Sequence, residues 1–171
     1  YKTLQSDTLK PLFNRALMAS YPPGSIFKLL NSLIALQEGT ITPASMYPCH
    51  GGYPVMGGKP KCHVHSAPRD LLGAIQTSCN SYFCYVFRGI IDARKFRTTR
   101  NGYEVWRNHV LSFGVGKPLG SDLPYELRGN GPSVEYYKKK FFGEHYFKSS
   151  TIVSLSIGQG ELGILPLQMA N

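Results

Sequence analysis

The stretch Tyr21-Pro22-Pro23-Gly24-Ser25-Ile26-Phe27-Lys28-Leu29-Leu30 sets a rigid turn, a hydroxyl and an amine on one short scaffold. Pro22 and Pro23 restrict the approach, Gly24 admits an unusual backbone angle, and apolar residues with few breakers continue to Gln37. This pattern predicts a helix beginning at or near Ser25. Ser25 and Lys28 then lie one turn apart on the same face, where their functional groups can meet. Ile26, Phe27, Leu29, Leu30, Leu33, Ile34 and Leu36 surround the predicted helix, which is therefore expected to run through the middle of a core. Burial there would disfavour the ammonium form of Lys28, and a neutral amine is a base for a neighbouring hydroxyl. Taken alone, the spacing also fits a plainer reading, with Ser25 capping the helix and Lys28 reaching to water.

A chain of 171 residues with 42% hydrophobic content can bury a sizeable core in one domain, which excludes a disordered polypeptide. Nineteen Lys and Arg (19) against 10 Asp and Glu give a net charge of +9, which favours an anionic partner without naming it. No apolar run is long enough to cross a bilayer, and the start at Tyr1-Lys2-Thr3 has no signal-peptide pattern, so a piece of a longer chain is expected.

Outward from the central helix, Leu12, Phe13, Ala16, Leu17 and Met18 have the spacing of a short helix before the Pro-Pro turn. Thr40 to Pro68, broken repeatedly by Pro and Gly, reads as a long loop that needs tethering or has a function. A helix from Pro68 to near Ser78, a break at Cys79-Asn80 and an apolar pattern resuming at Tyr82 make two helices with a polar elbow. Ala93 to Gly102 reads as a solvated basic connection, Tyr103 to Phe113 as a helix and Gly114 to Asn130 as successive turns. The run Tyr136 to Phe142 interleaves aromatics with lysines and reads as an amphipathic helix face rather than a nucleic-acid surface. Thr151 to Ile157 is strand-like; the turn Gly158-Gln159-Gly160 and a helix from near Leu165 follow.

The elbow carries a second hydroxyl and an amide, Ser78 and Asn80, two residues apart and expected on one side of an extended segment, facing Ser25 and Lys28. Such groups suit acyl transfer, the hydroxyl relaying a proton and the amide orienting a peptide.

These motifs together resemble class B penicillin-binding proteins, most closely the elongation type. Pro11-Leu12-Phe13-Asn14-Arg15-Ala16, the Tyr-Pro-Pro-Gly-Ser-x-x-Lys stretch, and Ser-Cys-Asn-Ser-Tyr-Phe from Ser78 carry the resemblance. Phe113-Gly114-Val115-Gly116, Gly120-Ser121-Asp122-Leu123-Pro124, Ser156 to Glu161 and Pro166-Leu167-Gln168-Met169 follow in the family's order. The resemblance implies an α+β fold of the penicillin-binding protein and serine β-lactamase type. Residues 1–171 would be a partial, predominantly helical transpeptidase domain lacking most of the central sheet.

It further implies D,D-transpeptidation of peptidoglycan on D-Ala-D-Ala stem peptides, with Ser25 as nucleophile, Lys28 as its base and Ser78 with Asn80 as the second motif. β-Lactams would acylate Ser25. Elongation-complex membrane proteins are the expected partners, nucleic acid is not, and the site would face the periplasm from an inner-membrane anchor. No K-T-G occurs in the chain, so the piece by itself is expected to be inactive or badly impaired. A penicillin-recognising sensor that is acylated without turnover is the main rival. A zinc-stabilised nucleic-acid-binding domain leaves the ordered motifs unexplained, and a serine β-lactamase would need a way to activate the deacylating water.

Cys49, Cys62, His63, His65 and Cys79 fall in or just after the long loop, and Cys62-x-x-His65 has chelating spacing. Cys49, Cys62, His65 and Cys79 are the expected ligands of a structural zinc; His63, adjacent to Cys62, is awkwardly placed, and His50 is a weaker substitute. A Cys49–Cys62 disulfide and buried free thiols are the alternatives, and Cys84 fits neither scheme.

Overall fold

The computed structural model describes residues 1–68, 70–141 and 147–171. Arg69, inside the predicted 68–78 helix, and Phe142, at the end of the aromatic and basic run, lie outside the described residues. Eight α-helices succeed one another among those described. They are α1 Lys2–Ser6, α2 Arg15–Met18, α3 Phe27–Gln37, α4 Leu71–Gln76, α5 Asn80–Ile91, α6 Thr99–Ser112, α7 Val134–Lys140 and α8 Pro166–Ala170. The described residues contain no sheet; pairing is confined to isolated antiparallel bridges at Tyr21–Ile164, Gly52–Lys61 and Asn130–Gly163.

Helix α5 is the axis of the core. Ser81, Tyr82, Phe83, Cys84, Val86, Phe87, Ile90 and Ile91 are buried, so apolar contact surrounds most of its circumference. Helix α6 presents Tyr103, Trp106 and Val110, spaced to form one buried stripe. The Trp106 ring meets Phe27 of α3 edge-on at 6.1 Å and Phe87 of α5 at 5.2 Å, contacts that lock three helices together at about 0.5–1.5 kcal/mol per pair beyond area burial. Tyr137 of α7 is buried and stacks on Phe141, so these two aromatics of that run serve packing, while Tyr136 is exposed.

Three elements differ from the sequence expectation. Ser149–Ile157 is a 3-10 helix, not a strand. A short apolar run does not distinguish strand from buried helix, and here Ile152 and Leu155, three apart, share one fully buried face. Helix α6 begins at Thr99, inside the predicted connection, because the Thr98 side chain accepts from Asn101 N at 3.1 Å and caps it.

Helix α3 is not enclosed. Ile26, Leu29, Leu33 and Leu36 are 36–56% exposed along one stripe, while Phe27, Lys28, Asn31, Ser32, Ile34 and Ala35 are buried. Hydrophobicity on all sides gave no means of telling which side α5, α6 and the 3-10 helix would cover.

Candidate active site

The Pro-Pro turn delivers the chain into a 3-10 turn, Gly24–Ile26, that runs straight into α3. Gly24 sits at φ +65, and its N–H donates to Gly158 O at 2.8 Å. Gly158 is itself left-handed at φ +68, and a Cβ there would strike the Gly24 backbone and Phe27. The turn at 158–160 is therefore the buttress of the turn that carries Ser25. Ser25 is exposed; its carbonyl accepts from Phe27 N, whereas none of the side-chain bonds of the Lys28 amine reaches its hydroxyl.

Lys28, one turn on, is only 3% exposed. Its Nζ lies 2.7 Å from Ser78 O, 2.8 Å from Ser78 Oγ and 2.6 Å from Asn80 Oδ1, so these bonds go to the elbow rather than to Ser25. Two of the three neighbours, the Ser78 carbonyl and the Asn80 amide oxygen, can only accept. A neutral amine donates to both and keeps its lone pair for the Ser78 hydroxyl, whereas an ammonium donates to all three. Burial pushes the Lys28 pKa below the ordinary lysine value, with Cys79, Cys62 and Cys84 acting in the opposite sense.

The elbow is not extended, as its two-residue spacing suggested. Ser78 is left-handed at φ +46, a strain of about 1–3 kcal/mol for a residue with a side chain. Cys79 then becomes the N-cap of α5, its sulfur accepting from Tyr82 N at 3.4 Å, and Asn80 is the first helical residue. The kink brings the Ser78 carbonyl and hydroxyl and the Asn80 amide round the same amine. Asn80 Nδ2 donates to Lys61 O at 2.7 Å, tying the elbow to the long loop. The loop is further tethered by Ser81 Oγ donating to Pro48 O at 3.0 Å and Tyr82 Oη to Ser45 O at 2.9 Å.

Cys49, Cys62, His65 and Cys79 converge behind the elbow, their candidate ligand atoms all within 4.8 Å of one another. Cys49 Sγ is 3.6 Å from Cys62 Sγ and 3.8 Å from His65 Nε2, and Cys62 Sγ is 4.0 Å from Cys79 Sγ. A tetrahedral site with Zn–S bonds of about 2.3 Å has edges of about 3.8 Å, so the donor set fits such an ion. His65 Nδ1 lies 2.7 Å from Ser66 O, an acceptor, which places the proton on Nδ1 and leaves the Nε2 lone pair facing the sulfurs. Burial pushes the Cys79 thiol up to about 12, so a thiolate there calls for a cation. All four cysteines are unpaired; Cys84 stands apart, buried, with its sulfur 3.3 Å from Ser156 Oγ.

Two contributors went unread in the sequence. Asn31, fully buried on α3, donates to Ser156 O at 2.9 Å and accepts from Trp106 Nε1 at 2.8 Å, fixing the helix against both neighbours. Its signal was an amide in the middle of an apolar helix, on the same face as Lys28. The Lys61 carbonyl carried no signal, because a backbone group has none.

The family described as the penicillin binding protein transpeptidase domain matches residues 1–171. The peptidoglycan D,D-transpeptidase MrdA of Acinetobacter baumannii is 30% identical over 99% of this chain and 24% of its own length. Among solved structures, Pseudomonas aeruginosa PBP2 in complex with WCK 5153 superposes with a TM-score of 0.81 at 28% identity, over 99% of this chain and 37% of that one. The Helicobacter pylori PBP2 complex with MreC gives 0.77 at 28% identity, over 98% of this chain and 29% of that one. The chain thus spans about a quarter of the length of the curated relatives it matches (24% and 25% for two of them). A match running from the first residue to the last, over a fold shared with solved members, assigns the chain to the penicillin-binding protein transpeptidase family, in its PBP2-like, class B branch.

Proposed function

We propose that this chain is the nucleophile-bearing part of an elongation-type peptidoglycan D,D-transpeptidase, and that its remaining exposed stripe on α3 packs against the rest of that domain. The observation that carries the reading is the buried Lys28 amine held by Ser78 and Asn80, one helical turn from an exposed hydroxyl at Ser25. Ser25 Oγ gives its proton to Lys28 and bonds to the carbonyl carbon of the penultimate D-Ala of a stem peptide. The ammonium so formed finds three acceptors already in place, Ser78 O, Ser78 Oγ and Asn80 Oδ1. The bond to the terminal D-Ala then breaks, and its nitrogen leaves with a proton relayed from Lys28 through the Ser78 hydroxyl. An amine of a second stem peptide attacks the Ser25 ester, restoring the hydroxyl and completing the cross-link. A β-lactam carbonyl would follow the first half of the same path and stay attached to Ser25.

The likeness to a PBP2 structure solved with MreC and to a chain of a peptidoglycan synthase complex supports elongation-complex membrane proteins as partners. The reading also places the site in the periplasm on an inner-membrane protein; among the described residues no helix is long and apolar enough to cross a membrane. Cys49, Cys62, His65 and Cys79 would hold a structural zinc that closes the loop behind Ser78 and Asn80 and leaves no position for a reacting water.

The test is release of D-Ala from a D-Ala-D-Ala pentapeptide by the full-length protein with an acceptor amine present. Release with a cross-linked product, abolished in Ser25→Ala, supports the enzyme. Acylation by penicillin without any release from peptide would favour a sensor instead.

A further inference from the structure

The Asn80 side chain is nearly symmetric in shape, so something must decide which end faces Lys28. A flipped amide would aim N–H groups at a donor and an oxygen at the Lys61 carbonyl oxygen. Lys61 O can only accept, so its 2.7 Å contact requires Nδ2 on that side, which commits Oδ1 to Lys28 at 2.6 Å. The orientation of a group at the amine is therefore set by the backbone of the long loop, 19 residues back in the chain.

Lys61 is placed by a narrow hairpin. Gly52 and Lys61 form an antiparallel bridge, with Cys62 N donating to Gly51 O at 2.9 Å and Tyr53 N to Pro60 O at 3.2 Å. The hairpin folds back on itself at Gly58, whose N–H donates to Tyr53 O at 3.0 Å. Gly52 is buried, and a Cβ there would overlap the carbonyl carbon and oxygen of Gly58. Those atoms are backbone and cannot swing aside as a side chain would. Any larger residue must part the two arms and shift the Lys61 carbonyl.

We infer that Gly52 is a positioning residue for acyl transfer at Ser25: by letting the 52–61 hairpin close, it holds the Lys61 carbonyl where it orients Asn80 toward Lys28. This deepens the transpeptidase reading and rests on it. The hairpin acts on the acylation step, because its contact at the site is to Asn80, whose other end faces Lys28, the base of that step.

The experiment measures acylation of the full-length protein by a fluorescent penicillin, resolving the non-covalent constant from the acylation rate constant. Gly52→Ala is expected to slow acylation at least about tenfold with the encounter constant within about twofold, since a small displacement of a catalytic group is enough for that. Lys59→Ala, an exposed position on the same hairpin, should match the wild type. Acylation by Gly52→Ala at the wild-type rate overturns the inference. A wild type that is never acylated defeats the transpeptidase reading instead, so the two failures are distinct. Should Gly52→Ala not fold, the wild type labelled with 15N-asparagine decides the matter. One Asn80 Nδ2 proton should exchange with water at least about tenfold more slowly than those of exposed Asn108, as expected of a proton held in a hydrogen bond. Equal exchange at the two residues contradicts the proposed contact.

Discussion

Lys28 Nζ and Asn80 Oδ1, 52 residues apart in sequence, stand 2.6 Å apart in the fold. That contact joins the first turns of α3 and α5, and it exists because each helix is started by an unusual backbone angle, at Gly24 and at Ser78 respectively. The chemistry and the packing of the two helices are consequently coupled.

Acylation of Ser25 should depend on pH through Lys28. The amine is active when neutral, and burial lowers its pKa, so the acylation rate should rise with pH and level off below the ordinary lysine range. Stability has the same sign. Between the depressed folded pKa and the unfolded value, the unfolded chain binds more protons, so stability rises with pH across that window. In Lys28→Met the acylation rate should fall by about a hundredfold or more, and the alkaline gain in stability should disappear from pH-resolved denaturant melts.

Asn31→Ala should cost about 2–4 kcal/mol, because Trp106 Nε1 and Ser156 O would both be left buried without their partner. Urea denaturation reads this directly. A loss under about 0.5 kcal/mol would mean that water replaces the amide.

Gly158→Ala should be destabilising by at least about 1–2 kcal/mol, since a side chain is strained at φ +68 and would press on Gly24 and Phe27. Because the displaced turn is the one carrying Ser25, acylation should slow as well. Denaturation and penicillin labelling of the same variant report the two effects.

If the four-ligand cluster holds zinc, purified protein should contain about one equivalent, and a strong chelator should lower the melting temperature. Cys79→Ser should hold less metal and lose its response to the chelator. A metal-free wild type with unchanged melting would remove zinc from the account and leave four thiol and imidazole groups packed for another reason.

The parts of this architecture that were legible in the sequence are those dictated locally. The Pro-Pro-Gly turn, the start of α3, the break between α4 and α5 and the looseness of 40–68 all follow from residues whose backbone preferences are narrow. Cys49, Cys62, His65 and Cys79 could be grouped by ligand type and spacing, and the fold does bring them together. What depends on distant partners was not legible. The 149–157 run satisfies strand and helix equally until α5 is placed against it, and the apolar residues of α3 do not disclose that Ile26, Leu29, Leu33 and Leu36 face outward. Ser78 and Asn80 were expected opposite Lys28, and its amine does meet both; spacing alone could not show that a left-handed Ser78 would bring them there, or that the amine bonds to them and not to Ser25.

The proposed acyl transfer requires Ser25 as the acyl acceptor, and peptide mass spectrometry of the full-length protein after exposure to penicillin tests this most directly. The peptide containing Ser25 should gain the mass of one intact penicillin, and the gain should vanish in Ser25→Ala. No adduct on the wild-type protein, or an adduct that persists when the hydroxyl of residue 25 is gone, would contradict it.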